Sequence, residues 1–204
     1  MCNHYWLHPE AISDWAMWAG YKQAPILHRE KQSDIWPKRS GIVARVEAGE
    51  KQLDIMTWGV PLTLAGKRPG TRLTKYVTNV RVLSSPFWRS ALANPAQRCL
   101  VLFSRFAEPG SGKDVVTGRP AEHWFEVNHT PIGAFAGIWR PSQAGNVYAF
   151  LTCAPNALVK PYHEKAMPVI LMPEDYDRWL TGCSDDLTAL QAPFPSQIMG
   201  LSVS

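Results

Sequence analysis

Gly133-Ala-Phe-Ala-Gly-Ile-Trp-Arg140 and, shortly after it, Val147-Tyr-Ala-Phe-Leu-Thr-Cys153 are apolar runs rich in aromatic and branched residues. Such runs read as two strands of one well-buried sheet. Upstream, residues 99–103 form a short buried strand and residues 123–128 an alternating one. Residues 52–60 also alternate, with Leu53, Ile55 and Thr57 on one face and Asp54, Met56 and Trp58 on the other. Residues 169–172 give one more short buried strand. Helical patterns lie outside this block. Residues 9–19 start with Pro-Glu and stop at Gly20, residues 85–93 open with Ser-Pro-Phe, and residues 173–180 begin Pro-Glu-Asp and stop at Gly182. Strands in the middle with helices at the flanks predict an α+β fold on a curved, mostly antiparallel sheet.

The chain of 204 residues suits one domain, residues 1–204, and 46% apolar with 19% charged residues reads as globular. No apolar run is long enough for a membrane helix, and the N-terminus lacks the basic start and apolar core of a secretory signal. A cytoplasmic, nucleoid-associated protein of a prokaryote or phage is expected. The cysteines at 2, 99, 153 and 183 form no CxxC pair, which suggests neither a zinc site nor a disulfide framework. Cys99 and Cys153 sit inside apolar runs and read as small buried hydrophobes. A net charge of +4 permits nucleic-acid binding without demanding it. Basic clusters at Lys38-Arg39, Lys67-Arg68 and Arg72 with Lys75-Tyr76 make a basic face plausible.

Cys2 stands apart because of its place behind Met1. Removal of that methionine would leave a thiol and a free α-amine on adjacent carbons. The amine, with an ordinary pKa of about 8, can form an imine with an aldehyde, and the thiol can then close a thiazolidine ring. No interior cysteine has this chemistry. Asn79 and Arg81 lie two residues apart, hence on one face of an extended segment. Glu108 sits where the run from Cys99 would reach a sheet rim, and His163 precedes the apolar stretch at 167–171. His123, Glu126 and His129 have a spacing that hints at metal, but an extended chain divides them between two faces, and no metal or other cofactor is expected.

Six segments taken in order are similar to the SOS response-associated peptidase (SRAP) family, the abasic-site sensors. They are Met1-Cys2; Trp58-Gly-Val-Pro61; Asn79-Val-Arg81; Arg98-Cys-Leu-Val101 leading to Glu108; Phe135-Ala-Gly-Ile-Trp139; and Thr152 with His163 before Met167-Pro-Val-Ile-Leu171. The resemblance implies an open-barrel core and a covalent link between Cys2 and the ring-opened sugar of an abasic site in single-stranded DNA or at a single/double-strand junction. It makes Cys2 the nucleophile, Asn79 the holder of sugar or amine, Glu108 the proton acceptor that positions the amine, and His163 the acid that opens the sugar. Arg81 and Lys165 would face phosphates, with Trp58 and Thr152 also on the DNA-binding side. The same groups could cut the Met1–Cys2 bond. A monomer is expected.

This chain departs from the family pattern in several places. Asn3-His4-Tyr5 stands where Gly-Arg-Phe is usual, Ala107 and Pro109 flank Glu108 in place of aromatics, and Leu83 replaces a Glu. The segment before Ala24-Pro25 is short. A non-covalent module for single-stranded or junction DNA is the alternative these departures motivate. A cysteine protease acting on other proteins is a third possibility.

Overall fold

The computed structural model describes residues 2–22, 33–114 and 118–202. Met1 and the segment around Ala24-Pro25 lie outside the described residues. Fifteen strands are present among them: β1 (His4–Trp6), β2 (Asp34–Ile35), β3 (Ser40–Glu47), β4 (Glu50–Trp58), β5 (Val60–Ala65), β6 (Arg72–Val77), β7 (Asn79–Val80), β8 (Arg98–Phe103), β9 (Arg105–Lys113), β10 (Pro120–Val127), β11 (Gly133–Ser142), β12 (Gly145–Cys153), β13 (Met167–Pro168), β14 (Ile170–Leu171) and β15 (Met199–Ser202). The helices are α1 (Ile12–Trp18), α2 (Pro86–Ala93), α3 (Tyr176–Thr181) and α4 (Ser184–Leu190).

Strands β12, β4, β3, β8 and β11 pair in that order, and β11 pairs back to β12, so five strands close into a barrel. The α+β expectation and the antiparallel bias hold. Only β12 departs, running parallel to β4 and to β7. A second sheet, in the order β15-β10-β9-β1-β2, lies against the barrel. Between the two sits the aromatic core. Phe103 stacks on Phe135 at 3.9 Å, Phe106 on Phe125 at 5.4 Å, and Tyr5 meets Phe135 edge-on at 5.9 Å. Each such ring, fully removed from water, contributes about 1.5–3 kcal/mol.

The two predicted central strands form β11 and β12, each a little longer at the turn that joins them. In β8 all six residues are buried, because helix and sheet cover both faces. Arg98 shows how. Its buried guanidinium donates to Leu92 O at 3.0 Å, Trp179 O at 3.1 Å and Gly182 O at 2.7 Å, satisfying carbonyls left open where α2 and α3 end. The alternation read over 52–60 holds only in part: Leu53, Met56 and Trp58 are buried together, although they belong to opposite faces. Outside the barrel Lys51 lies over the Tyr21 ring and pairs with Asp177, so the outward face of β4 is covered too. Gly59, at φ 119°, ends that strand. Helix α4 was not foreseen, its seven residues lacking a clear apolar stripe.

Strand β1 is anchored through its inward side chain. The hydroxyl of Tyr5 hydrogen-bonds that of Tyr148 in the barrel wall. Both reach over Gly41, where a Cβ would meet each hydroxyl oxygen at 2.2 Å. The glycine is what lets the two phenols join. Through them the start of the chain is fixed to the barrel end.

Candidate functional site

The residues before β1 enter the space between the barrel and the second sheet, and Cys2 is completely buried there. Its thiol lies 3.4 Å from His4 O. Burial pushes the Cys2 thiol well above its usual pKa, and the nearby Glu108 carboxylate adds to the effect. The resting sulfur is therefore a neutral thiol.

Strand β7 brings Asn79. Pairing parallel to β12, with Asn79 level with Phe150, it aims the amide at the chain start, and Nδ2 donates to Cys2 O at 3.1 Å. The same nitrogen lies 2.8 Å from Thr78 Oγ1. The other amide atom, Oδ1, is buried without a partner among the described residues. Strand β9 brings Glu108: His4 is level with Ala107, so the next residue of β9 stands alongside the residues that precede β1. Its side chain is wholly buried, and neither carboxylate oxygen accepts a hydrogen bond from a described residue. Burial pushes the carboxyl up to about 7.

His163 arrives on the loop between β12 and β13. Asn156 shapes this loop, its Oδ1 accepting from the amides of Leu158 at 3.1 Å and Val159 at 3.0 Å. The next turn closes where His163 N donates to Val159 O at 2.9 Å. His163 Nδ1 donates to Ala166 O at 2.7 Å and lies 3.2 Å from Glu108 Oε2. Burial lowers the pKa of the ring. The bond from Nδ1 leaves the Nε2 lone pair as the acceptor of the neutral ring.

Cys2, Asn79 and Glu108, with His163 at the rim, are thus brought together from four elements far apart in sequence. The arrangement can do proton chemistry. A carboxyl poised near neutrality stands beside a neutral imidazole, and the amide holds the backbone of the sulfur-bearing residue.

The four residues expected to face DNA divide. Arg81 and Lys165 are exposed. Trp58 and Thr152 are not: both are fully buried, and neither has a surface to offer a base or phosphate. Trp58 is a core residue that stacks on Phe150 at 5.1 Å and donates from Nε1 to Thr78 O at 3.1 Å, next to Asn79. Thr152 belongs to the inner wall of β12, and its hydroxyl has no partner among the described residues.

His4, at the position of the missing arginine, makes no phosphate contact site either. It is 5% exposed, Nδ1 lies 2.8 Å from Glu122 Oε2, Nε2 bonds Asp34, and Trp36 stacks on the ring at 3.8 Å. Sequence reasoning missed Glu122 and Asp34, whose strands are joined to His4 only in the folded sheet. As for the possible metal residues, His123 packs on Tyr162 at 4.3 Å and His129 sits in a turn at φ 59°. No group of three metal-binding side chains occurs among the described residues.

Comparisons with known proteins agree with this architecture. A protein of Bordetella bronchiseptica is 24% identical, with 98% of each chain covered and a TM-score of 0.72. A Bacteroides thetaiotaomicron protein is 18% identical, with 98% of this chain and 90% of that one covered and a TM-score of 0.74. A phage-related protein of Bordetella bronchiseptica is 17% identical, covering 98% and 93%, with a TM-score of 0.66. At these identities the likeness is one of fold. No curated protein matches. The family profile of the SOS response associated peptidases, SRAP, matches residues 1–204. With the profile spanning the whole chain, the protein belongs to the SOS response associated peptidase (SRAP) family, which gives it a role related to DNA damage.

Proposed function

We propose that this chain captures abasic sites in single-stranded DNA, at gaps or junctions, through a thiazolidine on Cys2. The observation that carries the reading is the Glu108 carboxyl: wholly buried, without a hydrogen bond from any described residue, and set beside Cys2 and His163. A group so costly to bury is kept where it has work with protons.

First the Cys2 thiol attacks the Met1 carbonyl carbon and the Met1–Cys2 C–N bond breaks, giving a thioester and a free α-amine, with Glu108 and His163 relaying the thiol proton to the nitrogen. Water then cleaves the thioester, releasing methionine and restoring the thiol. That amine attacks the aldehyde carbon of the ring-opened sugar, and one water leaves as the imine forms. The thiol then adds to the imine carbon: a C–S bond forms, and the thiol proton ends on nitrogen. Glu108, near its midpoint at neutral pH, accepts the amine proton and returns one to the departing oxygen. His163, neutral at rest, takes a proton at Nε2 before it can deliver one to the sugar ring oxygen. Asn79 holds the Cys2 carbonyl, and through it the amine, in place. Arg81 and Lys165, both exposed, serve flanking phosphates.

Intact mass should show a chain lacking one methionine. A single-stranded abasic oligonucleotide should give a heat-stable adduct without borohydride, and Cys2→Ala should give none. A stable adduct from that variant would mean that the nucleophile lies elsewhere. The burial and raised pKa of the Cys2 thiol favour one second reading, DNA binding without covalent capture. Retained Met1 with salt-sensitive binding and no adduct would select it.

A further inference from the structure

Strands β5 and β6 pair only with each other. Val60 is buried at the root of this ribbon, where Gly59 N donates to Tyr148 O at 2.8 Å. Beyond Leu62 every residue of both strands is exposed as far as Tyr76. The outer part is therefore largely open to solvent, with Thr63, Thr74 and Tyr76 lining a groove against the β11–β12 turn. Its tip is tied down: Gly66 N donates to Thr71 O at 2.8 Å, Thr71 Oγ1 donates to Arg68 O at 2.7 Å, and Gly70 turns at φ 77°. Gly66 is required there, since a Cβ would meet Thr71 Oγ1 at 2.2 Å.

The ribbon is charged with one sign only. Lys67 and Arg68 are at the tip, Arg72 and Lys75 along β6, and all four are exposed. From Ile55 to Ala107 the sequence contains no Asp or Glu. Among the described residues no carboxylate lies within ion-pair distance of any of the four. A solvated surface normally intersperses both signs. The ribbon also leaves Leu64 at 38% and Leu73 at 53% exposure, paired across the strands. These two leucines give the ribbon an apolar patch between its cations.

We propose that the β5–β6 ribbon is a second nucleic-acid contact, an arm that lies in a groove of the duplex beside the single-stranded site. The inference rests on DNA being the partner, but not on Cys2 forming an adduct. The major groove of B-DNA admits a two-stranded ribbon. Six extended residues reach about 20 Å, enough to cross it. Cations on the tip and one strand meet phosphates, while the apolar Leu64–Leu73 pair is sheltered. The arm is joined to the site directly: β6 ends at Val77, two residues before Asn79, so its root is fixed within about 7 Å of the amide that holds Cys2.

The test uses the full chain and undamaged DNA, with binding followed by fluorescence anisotropy from low to moderate salt. The probes are a single/double-strand junction and the single strand alone. The variant Lys67→Ser/Arg68→Ser/Arg72→Ser/Lys75→Ser should lower the salt slope on the junction by about 2–4, at about 0.9 per lost phosphate contact, and weaken binding there by about tenfold or more. Binding to the single strand should change less than twofold. If the fourfold variant does not fold, as judged by circular dichroism, Lys67→Ser/Arg68→Ser at the tip should show about half the change in slope. An unchanged junction slope would overturn the proposal. Equal losses on both probes would assign the ribbon to single strands and overturn the duplex assignment. Wild-type chain that prefers neither probe at low salt would overturn it as well. Adduct formation on an abasic single strand, measured with the same preparations, reads the Cys2 chemistry separately: its absence with junction binding intact would sink only that.

Discussion

The Nδ1 atom of His163 stands 3.2 Å from Oε2 of Glu108, yet it gives its proton to Ala166 O at 2.7 Å. The Glu108 oxygens accept no hydrogen bond from any described residue. Burial holds the carboxyl close to its midpoint at neutral pH, which suits a group that must both take and return a proton.

Glu108→Gln keeps the size of the side chain and removes the ionisation. In the folded chain the carboxyl is raised from its ordinary value to about 7. Between about pH 4.5 and 7 the unfolded chain has therefore lost a proton that the folded chain retains, so stability falls as pH rises through that window. Denaturant midpoints should fall less from pH 5 to pH 8 in Glu108→Gln than in the wild type. Adduct formation should slow by about 100-fold or more. A variant with an unchanged rate would remove Glu108 from the mechanism.

Asn79→Asp tests the bond to Cys2 O. A carboxylate cannot donate to a carbonyl, and it would be buried beside Glu108. The lost hydrogen bond costs about 1–3 kcal/mol, which corresponds to a rate loss of about 10- to 100-fold if the bond positions the amine. Single-turnover adduct rates on one oligonucleotide check this. Equal rates would make the amide merely structural.

Trp58→Phe separates core from contact. Loss of the bond from Nε1 to Thr78 O at 3.1 Å should lower stability by about 1–2 kcal/mol. Affinity for undamaged single strands should stay within twofold, because the indole is fully buried. A large affinity loss with unchanged stability would return Trp58 to the DNA surface.

Gly41→Ala should act at a distance. The new methyl would meet the Tyr5 and Tyr148 hydroxyls, and overpacking of this kind costs about 1–3 kcal/mol. Because Tyr5 anchors β1, adduct rate should fall together with melting temperature. Tyr148→Phe in the same background should restore part of both. If Gly41→Ala changes neither, Tyr5 does not hold the chain start.

The chain carried much of this in its local pattern. The runs that became β8, β11 and β12 could be read from composition, since strands covered on both faces need little but branched and aromatic residues. The short helices announced themselves through Pro starts and Gly stops, and Cys2 through its place behind Met1. Asn79, Glu108 and His163 were legible as a group only through the order of the motifs, since no spacing along the chain unites them.

What the folded chain added is contact across long separations. The closing of the barrel depends on β11 pairing with both β8 and β12, and single-strand patterns do not encode partners. The bond from His163 to Ala166 is made within one loop, whereas the burial of Glu108 and of Trp58 arises where two sheets pack. Side chains there answer to neighbours about a hundred residues away. His4 shows it most simply: it stands where the family pattern has arginine, and its place between Glu122 and Asp34 gives it to the sheet.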